Sequence, residues 1–231
     1  MKKSILIASM LIGVILFSTS YWYYNSGPAS FPTDEQVVEE MTNHFSYVSN
    51  SVIQDTIFLD DRHVFVPFTA EGEIYGLSLW ERNNRKWNAV LVSTSGDIKV
   101  WKIKSEDPTT YHALWNYPPQ DQVDYMKFYL INKRGFHITG VKEHYEPGLQ
   151  LEQTITLSEN LFGSMKLSKE WLAVINSLTD SLKVPLYNFH WNTYDSSDKP
   201  IFPERHENRS SSIDGETNIE FAVFIEEFEL E

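Results

Sequence analysis

The stretch VFVPFTAEGEIYGLSLWERNNRKWNAVLVSTSGDIKVWKI, residues 64–103, decides the fold of this chain. It is built of short runs in which every second residue is apolar. Three apolar residues share one side of the first run: Val64, Val66 and Phe68. Two clusters of turn-forming residues, 82–85 and 95–97, separate the runs. Short alternating runs joined by such turns predict an antiparallel meander of β-strands.

Further strands are predicted beyond this stretch. They cover residues 126–131, 136–141, 149–157 and 219–225, with a Pro-Gly turn at residues 146–149. Two segments between the strands, residues 105–124 and 192–218, are polar and show little pattern. The first of them also contains three prolines. We therefore expect both segments to be long connections between strands.

Two helices are predicted by their capping residues. Thr33 is a candidate N-cap and Gln36 completes a capping box, so the first helix should run from Asp34 to about Tyr47. Its apolar stripe is Val37, Met41, Phe45 and Val48. Ser168 is the candidate N-cap of the second helix, which should end near Lys183 and Pro185. The buried stripe of this helix is Trp171, Val174, Ile175, Leu178 and Leu182.

The N-terminus has the pattern of a membrane segment. Residues 4–24 carry no charge, and a helix of this length measures roughly 31 Å, close to the thickness of a bilayer core. Lys2 and Lys3 precede it, and no further Lys or Arg occurs before Arg62, so the positive-inside rule places the N-terminus in the cytoplasm. A cleaved signal peptide is the alternative. Either interpretation exports the rest of the chain.

The predicted fold class is α+β. It consists of a mostly antiparallel β-sheet system of about eight or nine strands with two amphipathic helices, preceded by one N-terminal transmembrane helix. The predicted organisation is a transmembrane anchor over residues 1–24, a linker over residues 25–33 and a single extracytoplasmic domain over residues 34–231. If the domain divides, residues 105–124 are the expected boundary.

Composition limits the function classes. The chain has no cysteine, which excludes disulfides, thiol catalysis and cysteine-type zinc sites. Lys2 and Lys3 precede the exported part, which therefore carries 17 basic and 32 acidic residues, a net charge of −15. Such a charge argues against binding of nucleic acid or of anionic lipid. An exported, cysteine-free domain of this kind is typical of a bacterial envelope protein.

Histidines are the candidate metal ligands of the sequence. His137 and His144 lie near Glu143 and Glu146. Residues seven apart on one extended strand point to opposite faces, so we expect no metal site there unless the chain bends at Gly140. His190 is expected to pack rather than to ligate, and residues 206–207 lack the spacing of a zincin motif.

Other catalytic patterns are weak. Ser196 and Lys199 have the spacing of a Ser-x-x-Lys dyad, but Pro200 follows and no helical pattern surrounds them. The segment 195–198, which is acidic at its first and last residue, has too few oxygen ligands for a calcium loop. Three tryptophans on predicted strands are expected to fill the core rather than to stack on sugars: Trp80, Trp87 and Trp101. We therefore predict no catalytic, cofactor-binding or metal-binding residues and no cofactor.

The sequence favours a non-catalytic module over an enzyme. The hypothesis is a single-pass membrane protein, held by residues 4–24, whose outer domain binds or scaffolds a protein partner at the cell envelope. The helix that starts at Asp34 lies close enough to the bilayer to meet another membrane protein. The alternative is a surface hydrolase that uses acidic residues in a cleft formed by residues 105–124 and 192–218.

Overall fold

The computed structural model describes residues 12–18, 30–140, 142–146, 148–157, 161–181, 187–202, 210–213 and 218–230. Three helices lie in these ranges: α1 (residues 12–18), α2 (Asp34–His44) and α3 (Lys169–Ser181). The strands up to the middle of the chain are β1 (Val52–Ile53), β2 (Ile57–Phe58), β3 (His63–Ala70), β4 (Ile74–Asn83), β5 (Lys86–Ser93), β6 (Lys99–Lys102), β7 (Tyr111–Asn116) and β8 (Tyr125–Asn132). The remaining strands are β9 (Gly135–Thr139), β10 (Lys142–Glu146), β11 (Leu149–Thr156), β12 (Phe162–Lys166), β13 (Tyr187–Tyr194), β14 (Pro200–Ile201), β15 (Ser211–Ile213), β16 (Ile219–Phe221) and β17 (Val223–Phe224).

The strands form three main sheets and one separate hairpin. The first sheet has the order β1–β3–β4–β5–β15, with β2 on the same edge of β3 as β1. The second sheet has the order β12–β7–β6–β16, and the third has the order β11–β8–β13–β14. Within the described part of the chain, β9 and β10 pair only with each other. The strand pairs are antiparallel except for that of β17 with β13, so the predicted, mostly antiparallel sheet system is confirmed.

Apolar clusters join the layers in order. Val37 and Met41 of α2 pack against one face of the first sheet. The other face of that sheet meets Trp101 and Leu114 of the second sheet. The far side of the second sheet packs against the third sheet, and α3 contributes Trp171 to the same cluster. The first and second sheets are thus covered on both faces.

The covering of the second sheet on both faces explains why one of its strands was missed in the sequence. Residues 105–124 are not one connection, because β7 lies within them and all six of its residues are buried. Leu114 faces the first sheet, whereas Ala113 and Trp115 face the third. A strand that is buried on both faces shows no alternation, which hid β7 in the sequence.

The strand count was also too low. Seventeen strands occur in the described residues, and several have only two or three residues. The last predicted strand, residues 219–225, is two strands in two different sheets, separated by Ala222. Residues 192–218 include the end of β13, β14 and β15, so the described part of this segment is not an unpatterned connection.

The helix ends predicted from capping residues agree better with the structure than the predicted strands do. Thr33 and Gln36 form the predicted capping box, in which the backbone N–H of Thr33 donates to Gln36 Oε1 at 3.1 Å. The first helix ends at His44 and a 3-10 turn over Ser46–Val48 continues it. The N–H of Trp171 donates to Ser168 Oγ at 3.4 Å, as expected for an N-cap. The predicted end of this helix, near residues 183–185, lies outside the described ranges.

The predicted membrane anchor falls largely outside the described residues, as does most of the predicted linker. Within residues 4–24 the structure describes α1, whose large apolar side chains are exposed: Ile12, Val14, Ile15, Leu16 and Phe17. Among the described helices, none combines the length and the apolar character that a membrane span requires.

Candidate binding groove

Helix α2 presents two different faces. Val37 and Met41 are almost fully buried against the first sheet. Glu35 and Glu39 lie on the opposite side of the helix and are exposed. The capping box at Thr33 fixes where the helix begins and therefore which residues face outward.

A groove of about 650 Å³ lies between the exposed side of α2 and strand β1, and we call it the acidic groove. The helix lines it with Asp34, Glu35, Val38, Glu39, Thr42 and Asn43. The segment that follows the helix lines it with Ser49, Ser51, Val52 and Ile53. None of these lining residues is basic, so the groove combines three carboxylates with an apolar surface.

One carboxylate of the groove, that of Glu35, is held in its ionised form. The pKa of Glu35 lies below its usual value because the carboxylate accepts hydrogen bonds from its own backbone N–H and from the Thr33 side chain. Val52, on the strand side, is 64 % exposed, which is high for a valine in a strand. Ionised carboxylates on one wall and exposed aliphatic carbons on the other suit a partner that carries both positive charge and apolar side chains.

The strand wall is a sheet edge. β1 terminates the first sheet, since Val52 and Ile53 pair with Thr69 and Phe68 of β3 on one side. An exposed edge strand offers main-chain donors and acceptors to a further strand. The edge is short, because strand pairing with β3 ends at Ile53 and resumes only at Ile57. A docked segment would therefore contact about one or two residues of β1 before it meets the helix.

A second recess of about 470 Å³ lies on the other flank of α2. It is lined by Phe31, Trp80, Trp87, Arg85, Lys86 and residues of the helix, among others. Phe31 packs against two tryptophans of this lining: its ring centroid lies 5.6 Å from that of Trp80 and 5.0 Å from that of Trp87. Acidic and basic residues both line this recess, so it lacks the single charge sign of the acidic groove.

The sequence candidates lie elsewhere. Trp80, Trp87 and Trp101 are buried, as the core interpretation predicts. Ser196 and Lys199 lie in a turn in which Asp195 accepts the backbone N–H groups of Ser197 and Lys199, at 2.8 and 3.0 Å. This turn is not helical, so the spacing of the Ser-x-x-Lys pattern is not converted into a dyad by one helical turn. Residues 206–207 lie outside the described ranges.

The backbone pairing of His137 and His144 is that of a hairpin. The two residues are direct Cα partners across the β9–β10 hairpin, which turns at Gly140 with a positive φ of 67°. The chain does bend at Gly140, which is the alternative that the sequence left open, so the geometry of a single extended strand does not apply here. Among the described residues, no group of three or more His, Asp or Glu is arranged to hold a metal ion.

His190 lies on β13 and is partly buried. Burial lowers its pKa, and the nearby positive charge of Lys133 lowers it further. A histidine kept neutral in this way inside a sheet packs as a polar ring, as the sequence predicts.

The hydrolase alternative stays a prediction, and the structure divides one of the two segments that were expected to form its cleft. Residues 105–124 are divided by β7, so their two parts lie at opposite ends of that strand. A general acid in glycoside hydrolysis needs a raised pKa. The pKa is lowered at five described carboxylates: Glu35, Asp60, Asp107, Glu170 and Asp195. At Asp60, for example, burial raises the pKa, but hydrogen bonds from the Arg62 backbone and from His63 outweigh it.

No family model, no curated protein and no solved structure matches this chain. The groove and the chemistry of its walls therefore carry the functional argument.

The sequence predicted only one of the two walls of the acidic groove. The capping signal and the stripe of α2 predicted which side of the helix is exposed. Strand β1 has two residues and gives no alternation, so the second wall could not be predicted.

Proposed function

We propose that this chain is a membrane-tethered, non-catalytic module that binds a protein partner outside the cytoplasm through the acidic groove. The observation that carries the proposal is the groove itself: three carboxylates and exposed apolar carbons beside a sheet edge. The ligand that fits this surface is an extended segment of a partner protein, with Lys or Arg facing α2 and an apolar side chain against Val52 and Ile53.

The tether is supported by the N-terminal sequence. Residues 4–24 are uncharged, Lys2 and Lys3 precede them, and an aromatic cluster at residues 21–24 suits the outer interface of a bilayer. The described part of this segment, α1, exposes large apolar side chains along its whole length. Exposed aliphatic helices of this kind need a covering, and a bilayer provides one.

The binding proposal is tested by site-specific photo-crosslinking in the full-length chain in its native membrane. A photoreactive residue replaces Val52 in the groove, and the matched control replaces Val223, an exposed strand valine elsewhere. We expect a discrete adduct from position 52 and none from position 223. Sequencing of the adduct should place the cross-link within a basic segment of the partner.

The charge of the groove is tested in the same adduct. The double change Glu35→Gln and Glu39→Gln should lower its yield at least fivefold. The matched change Glu71→Gln and Glu73→Gln, in an exposed turn, should leave the yield unchanged. Equal labelling from positions 52 and 223, or an adduct insensitive to the groove carboxylates, would reject the groove as the binding site.

The tether is tested separately. The full-length chain should remain in the membrane fraction after alkaline carbonate extraction, and a chain that lacks residues 1–24 should not. Release of the full-length chain by carbonate would contradict an integral anchor without affecting the test of the groove.

A further inference from the structure

The β9–β10 hairpin has an exposed apolar face. Phe136 pairs with Tyr145 and Ile138 pairs with Glu143, and directly opposed residues of an antiparallel pair lie on the same face. Phe136 and Ile138 are each 60 % exposed and Tyr145 is 64 % exposed. We call these three residues the apolar hairpin face. The hairpin keeps the register of the β8–β11 pair, since Leu149 pairs with Asn132 and Glu146 pairs with Gly135, so it extends the third sheet beyond its other strands.

The hairpin projects from the end of the molecule where the chain enters the domain. Phe31 packs beside Trp87, at the start of β5. We call this end of the strands the entry end. Trp101 of the second sheet lies at the same end, because its ring is 5.0 Å from that of His63, the first residue of β3.

One end of the third sheet also lies at the entry end. Lys102, next to Trp101, has its Nζ 5.4 Å from the ring centroid of Tyr187. Tyr187 begins β13 and pairs with Asn132, the last residue of β8. Three residues after Asn132 the chain enters the hairpin. The hairpin and Phe31 are therefore at the same end of the stacked sheets.

Exposed basic residues accumulate at the entry end, in the turns and at the strand ends around the hairpin: Lys86, Lys104, Lys133, Arg134 and Lys166. Acidic residues occur there as well, namely Asp60, Asp61, Glu106 and Asp107. The turns at the opposite end carry mainly acidic residues: Glu71, Glu73, Asp121, Asp195 and Asp198, with Lys199. The turns at the entry end are therefore less acidic than the turns at the opposite end.

The length of the N-terminal connection limits how far this end can lie from a membrane. Six residues lie between Tyr24, at the end of the uncharged segment, and Phe31, so seven Cα–Cα steps connect the two. A chain of this length spans at most roughly 25 Å. A bilayer that holds residues 4–24 is therefore close to the entry end and to the hairpin.

The size of the apolar hairpin face argues against a second copy of the chain as its main partner. Three side chains of this kind expose about 350 Å² in all, since an aromatic side chain has roughly 150–250 Å² to bury. A stable protein interface needs about 800 Å² on each partner. A bilayer interface needs no matching surface and accepts small aromatic and aliphatic patches.

We propose that the apolar hairpin face lies on the outer leaflet of the same bilayer that holds residues 4–24, with Lys133 and Arg134 against anionic headgroups. The contact is local to these two basic residues, and the net negative charge of the domain keeps the rest of it away from such headgroups. This inference rests on the tether of the proposed function. Glu143 shares the face, so the contact is confined to the headgroup and upper acyl region. Two attachments, the N-terminal segment and the hairpin, fix the orientation of the domain. The acidic groove is then presented in a defined direction relative to the membrane.

The test uses the absence of cysteine in the chain. Ile138→Cys places a single thiol on the apolar hairpin face, and Ser196→Cys places the control thiol in the exposed turn at the opposite end. Each full-length chain is labelled with an environment-sensitive fluorophore and reconstituted in vesicles of phosphatidylcholine with 30 % phosphatidylglycerol. A spin-labelled lipid with a shallow nitroxide is the quencher.

We expect at least threefold stronger quenching at position 138 than at position 196. Phe136→Ser with Tyr145→Ser should remove most of this difference. Lys133→Gln with Arg134→Gln should reduce it in vesicles with phosphatidylglycerol more than in phosphatidylcholine alone. Circular dichroism of each variant, measured in the same vesicles, shows whether the domain remains folded.

Three outcomes would contradict the hairpin contact, and each of them can be told apart from the others. If the chain floats with the vesicles but positions 138 and 196 are quenched equally, the hairpin contact is rejected and the tether stands. If position 138 forms a disulfide between two copies and is not quenched, a second copy covers the face and the proposal is wrong. If the full-length chain does not float, both the tether and the hairpin contact are rejected.

Discussion

The side-chain amide of Asn116 donates a hydrogen bond of 2.7 Å to the backbone carbonyl oxygen of Gly76. The same nitrogen lies 3.0 Å from the carbonyl oxygen of Phe68 and 2.7 Å from Gln54 Oε1. Asn116 ends β7 in the second sheet, whereas Phe68 and Gly76 are paired residues of β3 and β4 in the first. One fully buried amide thus connects two sheets.

Asn116→Ala should lower the free energy of unfolding by about 3 kcal/mol, because buried carbonyl groups lose a donor and a small cavity forms. Urea unfolding of the full-length chain in mild detergent measures the change. Asn88→Ala is the control. Asn88 Nδ2 donates at 3.4 Å to the Lys86 carbonyl in an exposed setting, so a loss below about 0.5 kcal/mol is expected. Equal losses in both variants would show that Asn116 does not hold the sheets together.

Gly96→Ala should be strongly destabilising, because an added Cβ would overlap the backbone carbonyl of Asn116. The expected loss is about 2–4 kcal/mol, since backbone on both sides must move. The variant Gly72→Ala is the comparison, because it tests backbone strain without a steric overlap. Gly72 has a positive φ of 77°, and an added methyl group there would meet no atom within 4 Å, so Gly72→Ala should cost about 1 kcal/mol. Thermal unfolding of both variants gives the comparison, and the reverse order would refute it.

Parts of the fold that depend on local chemistry could be predicted from the sequence. The capping box at Thr33, the N-cap at Ser168 and a hairpin loop within residues 82–85 follow from residue type and spacing. The structure narrows this loop to a two-residue turn at Asn84–Arg85, where both residues have positive φ. The alternating side of β3 was also visible, since Val64, Val66 and Phe68 pack together under α2.

Parts that depend on long-range packing could not be predicted. β7 is covered on both faces, so its sequence YHALWN has no alternation. The hairpin turn at Gly140 changes the relative position of His137 and His144, which the geometry of a single strand could not show. The acidic groove needs β1, whose two residues carry no periodic signal.

Acid should destabilise the domain partly through His112. Burial, with the positive charge of Lys166, lowers the pKa of this histidine from 6.5 to about 4. The unfolded chain therefore binds a proton at a higher pH than the folded one. The stability contributed by the neutral ring is complete above pH 6.5 and is lost as the pH falls from 6.5 towards 4. The expected loss at pH 4 is about 3 kcal/mol.

His112→Gln isolates this contribution because glutamine does not titrate. Its free energy of unfolding should fall less steeply than that of the unmodified chain between pH 6.5 and 4, whatever its value at neutral pH. His190, whose pKa is also lowered mainly by burial, acts equally in both chains. Parallel pH profiles of the two chains would exclude His112 as an acid-sensitive group.

The ion pair between Lys102 and Glu220 should contribute more than an ordinary surface pair. Lys102 Nζ lies 2.6 Å from Glu220 Oε2 and within about 6 Å of the rings of Tyr111, Tyr187 and Phe189. Glu220 Oε1 also accepts the backbone N–H of Phe189, at 3.3 Å, so the pair connects the second and third sheets. Loss of either partner leaves the other half-buried next to apolar rings.

A double-mutant cycle with Lys102→Met and Glu220→Gln should therefore give a coupling energy of about 1–2 kcal/mol. The matched cycle uses Lys127 and Glu152, which are 3.4 Å apart and more exposed, and should give less than about 0.5 kcal/mol. Salt should reduce the second coupling and leave most of the first, because the aromatic rings limit access of water and ions to Lys102. Equal coupling energies in the two cycles would mean that the three rings around Lys102 add nothing beyond the single ring of Tyr194, whose centroid lies 5.2 Å from Lys127 Nζ.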